Sequence, residues 1–279
     1  MCKRACYAAV VMLFTGAIVF GNDDAIKEWL AKQPIKVGEK IEGKREDAFS
    51  AKGDTKGDTL MHLAAKDGRV DVMKWLKEQG EDINAKNNRE RAPIHYAACG
   101  HRLFEFPRFF EILEMDIEPE QLSIKLQDIQ IHLMARDRNL EAMKWLYEQG
   151  ADINAKDDDD SPPIHYAVCM GNVETIKWLK EQGADINAGN RHGMPTLAIA
   201  CIVLDGILSK AEDLLEDEFP ELQAEDVKKI MLRVIQDIKE GIKWLKDNDA
   251  VIDDADGVES VDGFLQEADQ FLKDNGFME

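Results

Sequence analysis

Residues 162–188 read PPIHYAVCMGNVETIKWLKEQGADINA, and most of this stretch recurs elsewhere in the chain. Residues 59–85 read TLMHLAAKDGRVDVMKWLKEQGEDINA, and residues 130–155 read QIHLMARDRNLEAMKWLYEQGADINA. Residues 92–101, APIHYAACGH, open a further copy whose second half diverges. In three copies a tryptophan follows its histidine by 13 residues: His62 to Trp75, His132 to Trp145, and His165 to Trp178. All five tryptophans precede a leucine, and His62, His95, His132 and His165 are 33, 37 and 33 residues apart. Self-similarity at this period belongs to chains that stack copies of one small unit.

Each block of the unit has a local physical reading. The alanine pair after the histidine (Ala64-Ala65, Ala97-Ala98) lets one helix approach its neighbour closely. Val72, Met73, Trp75 and Leu76 recur at helical spacing and form an apolar stripe. Gly80, Gly150 and Gly183 follow the last turn of that helix, where a left-handed residue is often required. Asp-Ile-Asn then leads into a turn of Asn, Asp and Gly. Each unit therefore reads as helix, short turn, helix, extended loop.

These blocks resemble the ankyrin repeat: Thr-Pro-Leu-His-x-Ala-Ala, a glycine, then Gly-Ala-Asp-Val-Asn-Ala. The resemblance covers about residues 54–254 and implies an all-α solenoid of about five helix-turn-helix repeats with β-turn fingers. It also implies that His62, His95, His132 and His165 bond to backbone and order the turns. Trp75, Trp145, Trp178 and Trp244 mark the second helices. Two segments depart from the pattern, about 102–128 and 202–240. The first is rich in phenylalanine and lacks the Trp-Leu block. In the last unit Ala198 replaces the histidine, and the two helices look stretched, over about 195–216 and 224–247, although Trp244 recovers the frame.

Terminal units of a solenoid need a polar outer face. Residues 22–53 read as an N-terminal half-repeat cap, with one second helix over Asp24 to Lys32, and 255–279 as a C-terminal capping helix. Residues 1–21, MCKRACYAAVVMLFTGAIVFG, carry two early positive charges and then an apolar run, the pattern of a secretory signal peptide cut after Gly21. As a helix that run spans about 24 Å, short of a ~30 Å hydrocarbon core. An uncleaved N-terminal anchor is the alternative. The expected location is periplasmic or secreted, with no membrane contact after cleavage.

The chain carries a formal charge of −20. From Asp205 onward 22 acids face 8 bases. Such a surface opposes nucleic acid, whose binding neutralises phosphates with a basic face. Cys99 and Cys169 both stand four residues after a repeat histidine and, on this reading, two repeats apart, which is too far for a disulfide. Cys201 falls one place earlier, at a buried position, so three reduced thiols are expected. Nucleotide-binding, hydrolase and metalloprotease motifs are all missing, and no metal or cofactor is implied.

The resemblance places partner contacts at the finger tips and on the first helix after the alanine pair. Arg89, Arg91, Arg136, Met170, Arg191 and Met194 are the candidate anchors, since Arg and Met are enriched at interface cores. The expected function is a non-catalytic, monomeric scaffold that recognises another protein through its concave face. A regulatory or stabilising subunit of an envelope enzyme is the alternative, and an enzyme with its site in the divergent segments a further one.

Overall fold

The computed structural model describes residues 23–33, 57–99, 136–216, 225–252 and 260–274. Among these, ten helices follow one another: α1 (Asp23–Ala31), α2 (Leu60–Lys66), α3 (Val70–Glu78), α4 (Pro93–Cys99), α5 (Arg136–Glu148), α6 (Pro163–Cys169), α7 (Val173–Glu181), α8 (Thr196–Glu216), α9 (Glu225–Asp247) and α10 (Val261–Asp274). The bounds of α1, α8 and α9 lie within a residue or two of those read from the sequence.

The first helices α2, α4, α6 and α8 stack in that order, and each is backed by a second helix: α3, α5, α7 and α9. The result is an all-α ankyrin solenoid. Its core runs continuously between layers through Leu60, Ile94, Ile164 and Leu197 from the first helices. Leu76, Leu146, Leu179 and Leu245 complete it from the second. Burial at this density supplies the stability, because isolated seven-residue helices are unstable in water. The tryptophans sit at the edge of this core. Trp178 meets Tyr147 edge-on at 5.6 Å, and Lys180 lies 5.7 Å from the Trp244 ring, so neighbouring second helices are bracketed together. Trp29 of α1 donates to Asp67 Oδ2 at 2.9 Å and ties the N-terminal helix to the first layer. At the other end α10 packs on α8 and α9 through Ala268, Phe271 and Leu272.

Two backbone features set the register. Gly80, Gly150 and Gly183 end α3, α5 and α7 with φ near +90°, and Asp249 takes the same place after α9 at φ +66°. Gly68, between α2 and α3, lies so close to α5 that a Cβ there would stand 2.8 Å from Arg138 Cβ. Gly171, between α6 and α7, is as close to Ile238 of α9. The turns at Gly68 and Gly171 thus each dock on the second helix of the next layer.

That relation revises one expectation. The His132 spacing predicts a separate copy over 130–155, which would set the copies at 92–101 and 162–188 two places apart. In the structure α5 is the second helix behind α4, and α4 lies directly between α2 and α6. Residues 100–135 therefore connect the two helices of one layer, where residues 67–69 and 170–172 do so in its neighbours. Two candidate first helices compete for one second helix. Ala97-Ala98 gives α4 the close approach to both neighbours, whereas the matching places after His132 are Met134 and Ala135. His132 and the divergent segment 102–128 lie outside the described residues, as do residues 1–21 and most of the N-terminal cap.

Candidate functional site

The repeat histidines are structural. His62 Nδ1 accepts from Thr59 N–H at 3.1 Å, so Nε2 carries the proton and donates to the Arg91 carbonyl at 3.0 Å. His95 repeats the arrangement with Ala92 N–H (3.0 Å) and the Ala155 carbonyl (2.9 Å). His165 donates to the Ala188 carbonyl at 2.8 Å, but its Nδ1 has no partner among the described residues. Pro162 stands where Thr59 and Ala92 supply an N–H, and proline has none. Burial drives the pKa of His95 down to about 4 and lowers that of His165, so both rings stay neutral.

Among the described residues three fingers project from the layers, at residues 87–91, 157–161 and 190–194. Each is closed by its first residue. Asn87 Oδ1 accepts from Arg89 and Arg91 N–H, Asp157 Oδ1 from Asp159 and Ser161 N–H, and Asn190 Oδ1 from His192 and Met194 N–H. Side chains that bond their own backbone two residues on stabilise such turns. The fingers also join edge to edge. Asp158 N–H donates to Arg89 O at 2.9 Å, and Arg191 N–H to Asp159 O at 2.8 Å.

Behind the fingers, each interface between layers brings three positions together. At the first, Asn87 Nδ2 donates to Asp58 (2.7 Å) and to Tyr96 Oη (3.0 Å), and Tyr96 donates to Asp58 at 2.8 Å. Burial pushes Asp58 up to about 6 even though these bonds favour its charged form. At the second, Tyr166 donates to Asp157, and Arg91 pairs with Asp157 at 3.6 Å and lies 5.5 Å from the Tyr166 ring. Burial raises the phenol pKa of Tyr166. At the third interface the equivalent residues are Ser161, Asn190 and Ile199. The tyrosine is gone, and a cleft of about 350 Å³ opens there. It lies between α6, α8 and the last two fingers, and its walls include Tyr166, Cys169, Met194, Ile199, Ile202 and Val203. Ile202 is 44 % exposed.

The structure sorts the candidate anchors. Arg91, Arg191 and Met194 line the cleft. Arg191 is half exposed and pairs with Asp159 at 2.8 Å, so it stands at the rim. Arg91 is mostly enclosed, its side chain 13 % exposed, and serves as a tie between layers. Arg89 is half-buried on the first finger, with no place in the cleft wall. Met170 requires correction: it is 7 % exposed, turned into the core by the close of α6, and offers no surface to a partner. The side chain of Arg136 lies outside the described residues. Tyr96, Tyr166 and Asn190 were absent from the sequence-based candidates, and Asp58, which the sequence places at a finger, is buried between layers instead. Lining up Asp58/Arg91/Ser161, Asn87/Asp157/Asn190 and Tyr96/Tyr166/Ile199 as columns would have exposed them.

The thiols are also rearranged. Because α4 and α6 are neighbours, Cys99 and Cys169 occupy equivalent positions of adjacent layers rather than of layers two apart. None of the three described cysteines forms a disulfide. Burial pushes Cys169 up to about 12, with Cys99 adding to the effect, and burial does the same to Cys201. The carboxylates of Asp157, Asp158 and Asp159 come within 4.8 Å of one another. Asp157 spends its oxygens on the finger backbone and Tyr166, which accounts for its position without a cation.

Nothing in this arrangement pairs a nucleophile with a base. Its chemistry is that of a binding surface: an apolar floor, charged rims and rigid walls.

Comparison with known proteins agrees with the geometry. Residues 14–106 match a family model described as ankyrin repeats (3 copies), and residues 131–179 one described as ankyrin repeats (many copies). The first span begins inside the apolar stretch read above as an export signal. A transient receptor potential cation channel subfamily A member 1 homolog from Caenorhabditis elegans is 30 % identical over 113 residues, 40 % of this chain and 9 % of that protein. The human neurogenic locus notch homolog protein 2 is 31 % identical over 126 residues, 44 % of this chain and 5 % of that protein. The chain thus spans less than a tenth of the length of these curated relatives. Ankyrin repeats generally mediate protein–protein interaction, and among the described residues no helix is long and apolar enough to cross a membrane. Stacked helix pairs, backbone-bonding histidines, bonded fingers and the two family matches together place this chain among the ankyrin-repeat proteins.

Proposed function

We propose that the chain is a non-catalytic, monomeric scaffold that recognises a protein partner through its concave face, in the cell envelope or outside the cell. The observation that carries this reading is the cleft beside Ile202, Met194 and Arg191. It is preformed between rigid layers, so little ordering entropy is lost on binding. An exposed apolar side chain framed by charged fingers matches the anatomy of a protein interface core. Export is supported by Lys3 and Arg4 followed by the apolar run to Phe20.

The test is affinity capture from envelope and secreted fractions with the tagged chain, compared with Arg191→Glu/Ile202→Glu checked as folded by circular dichroism. A protein held by the parent chain and lost with the variant supports the reading. Equal capture by both removes the concave face from it. The mass of the chain recovered from cells decides export separately, since cleavage after Gly21 removes a defined mass and an uncleaved anchor retains it.

A further inference from the structure

Two interfaces of the stack are each completed by a tyrosine. Tyr96 reaches Asn87 and Asp58, and Tyr166 reaches Asp157 beside Arg91. The third interface keeps the surrounding frame but not the ring. Asn190 repeats Asn87, with its oxygen used by the finger in the same way. Its Nδ2 has no hydrogen-bond partner among the described residues, whereas Asn87 Nδ2 has two. Ser161 stands where Asp58 stands, with a hydroxyl able to accept, and Ile199 stands where Tyr96 and Tyr166 stand. The open volume is in the place that a ring from residue 199 would fill.

We propose that this cleft takes a tyrosine side chain supplied by the protein partner. The phenol oxygen accepts from Asn190 Nδ2 and its O–H donates to Ser161 Oγ, as Tyr96 does with Asn87 and Asp58. The ring is buried against Ile199, Ile202 and Met194. A phenol satisfies both polar groups and the apolar wall together, whereas an aliphatic side chain leaves the Asn190 amide desolvated and unpaired, which is costly. Tyrosine suits this role at interfaces because it couples a large apolar ring to a polar tip. The inference rests on the concave face being the protein-binding surface, yet its chemistry can be measured without the partner.

The experiment is a titration of the full chain with p-cresol, 4-methylanisole and toluene, followed by NMR of the Asn190 side-chain amide and the Ile199 and Ile202 methyl groups. p-Cresol is expected to give saturable shifts at all three residues, with toluene about thirtyfold weaker, the loss of two neutral hydrogen bonds. Ile199→Tyr supplies the ring internally and should abolish the shifts while raising thermal stability. Asn190→Asp retains the finger acceptor, as natural Asp157 does, and provides a second readout if Ile199→Tyr misfolds. It should keep p-cresol, which can donate, and lose 4-methylanisole, which can only accept. Toluene binding as well as p-cresol, or unchanged shifts in Ile199→Tyr, would overturn the proposal. Phenol binding at this cleft alongside capture that ignores Arg191→Glu/Ile202→Glu would leave the cleft chemistry standing and remove the concave-face reading.

Discussion

The backbone N–H of Asp158 donates to the carbonyl of Arg89 at 2.9 Å, although two repeat periods of sequence separate them. The bond joins neighbouring fingers, and it puts the layers of α4 and α6 side by side. Everything on the concave side follows from that adjacency: the pairing of Arg91 with Asp157, the nearness of Cys99 to Cys169, and the position of the cleft one layer further on.

The buried polar interfaces predict a measurable cost for single atoms. Tyr166→Phe deletes the O–H that donates to Asp157 and leaves that carboxylate, whose side chain is 1 % exposed, with Arg91 and the finger amides. A lost bond to a charged group costs about 1.5–3 kcal/mol. Urea denaturation should show that loss with an unchanged m-value. Wild-type stability in the variant would mean that the contact contributes nothing.

Asp58 and His95 pull stability in opposite directions with pH. Asp58 is raised to about 6 in the fold, so its contribution is full below its unfolded pKa near 4 and is lost as pH rises through 6. His95 is lowered to about 4, so its contribution is full above its unfolded pKa near 6.5 and is lost as pH falls through 4. Each is worth about 2–3 kcal/mol, and between pH 4 and 6.5 they largely cancel. Asp58→Asn should therefore leave stability at pH 7 equal or higher and make it fall steadily below pH 6.5. A profile that stays flat in that variant contradicts the assignment.

Helix ends give a stabilising prediction. Asp249 holds φ +66° at the place where Gly80, Gly150 and Gly183 end their helices. A non-glycine residue there carries a steric cost of about 1–2 kcal/mol. Asp249→Gly should recover about 0.5–1 kcal/mol, net of the extra chain entropy of glycine when unfolded. Thermal melts decide, and a lowered midpoint sinks the idea.

Thiol chemistry should be slow. With Cys169 and Cys201 pushed up to about 12, little thiolate forms at pH 8, and the thiolate is the reactive species. Alkylation of both should accelerate by orders of magnitude on unfolding. Cys169 is half-buried in the cleft wall, so its fast modification in the folded chain would show that the thiol is not held protonated.

Much of the fold was readable before the structure because ankyrin-like blocks repeat their special positions. Gly150 and Gly183 could be assigned left-handed ends, and α8 and α9 their unusual lengths, from local chemistry alone. The adjacency of α4 and α6 was not readable. His95 and His132 each begin a plausible first helix, and spacing does not say which of them α5 will back; packing against both neighbours decides it. Met170 was misjudged for a related reason. Its place after the helix pointed to the concave surface, but its side chain packs into the core at 7 % exposure. The cleft was half visible, in Arg191 and Met194. The missing tyrosine that creates it appears only when Ile199 is compared with Tyr96 and Tyr166 in space.

The most direct test of the adjacency is the distance between spin labels carried on non-natural residues at Asn88 and Asp158, both exposed at the tips of their fingers. Neighbouring layers place the two backbones about 10 Å apart, and an intervening layer doubles this to about 20 Å. Strong dipolar broadening from a short separation is the predicted result. A distribution centred at about 20 Å or beyond would put a further repeat between α4 and α6 and contradict the account.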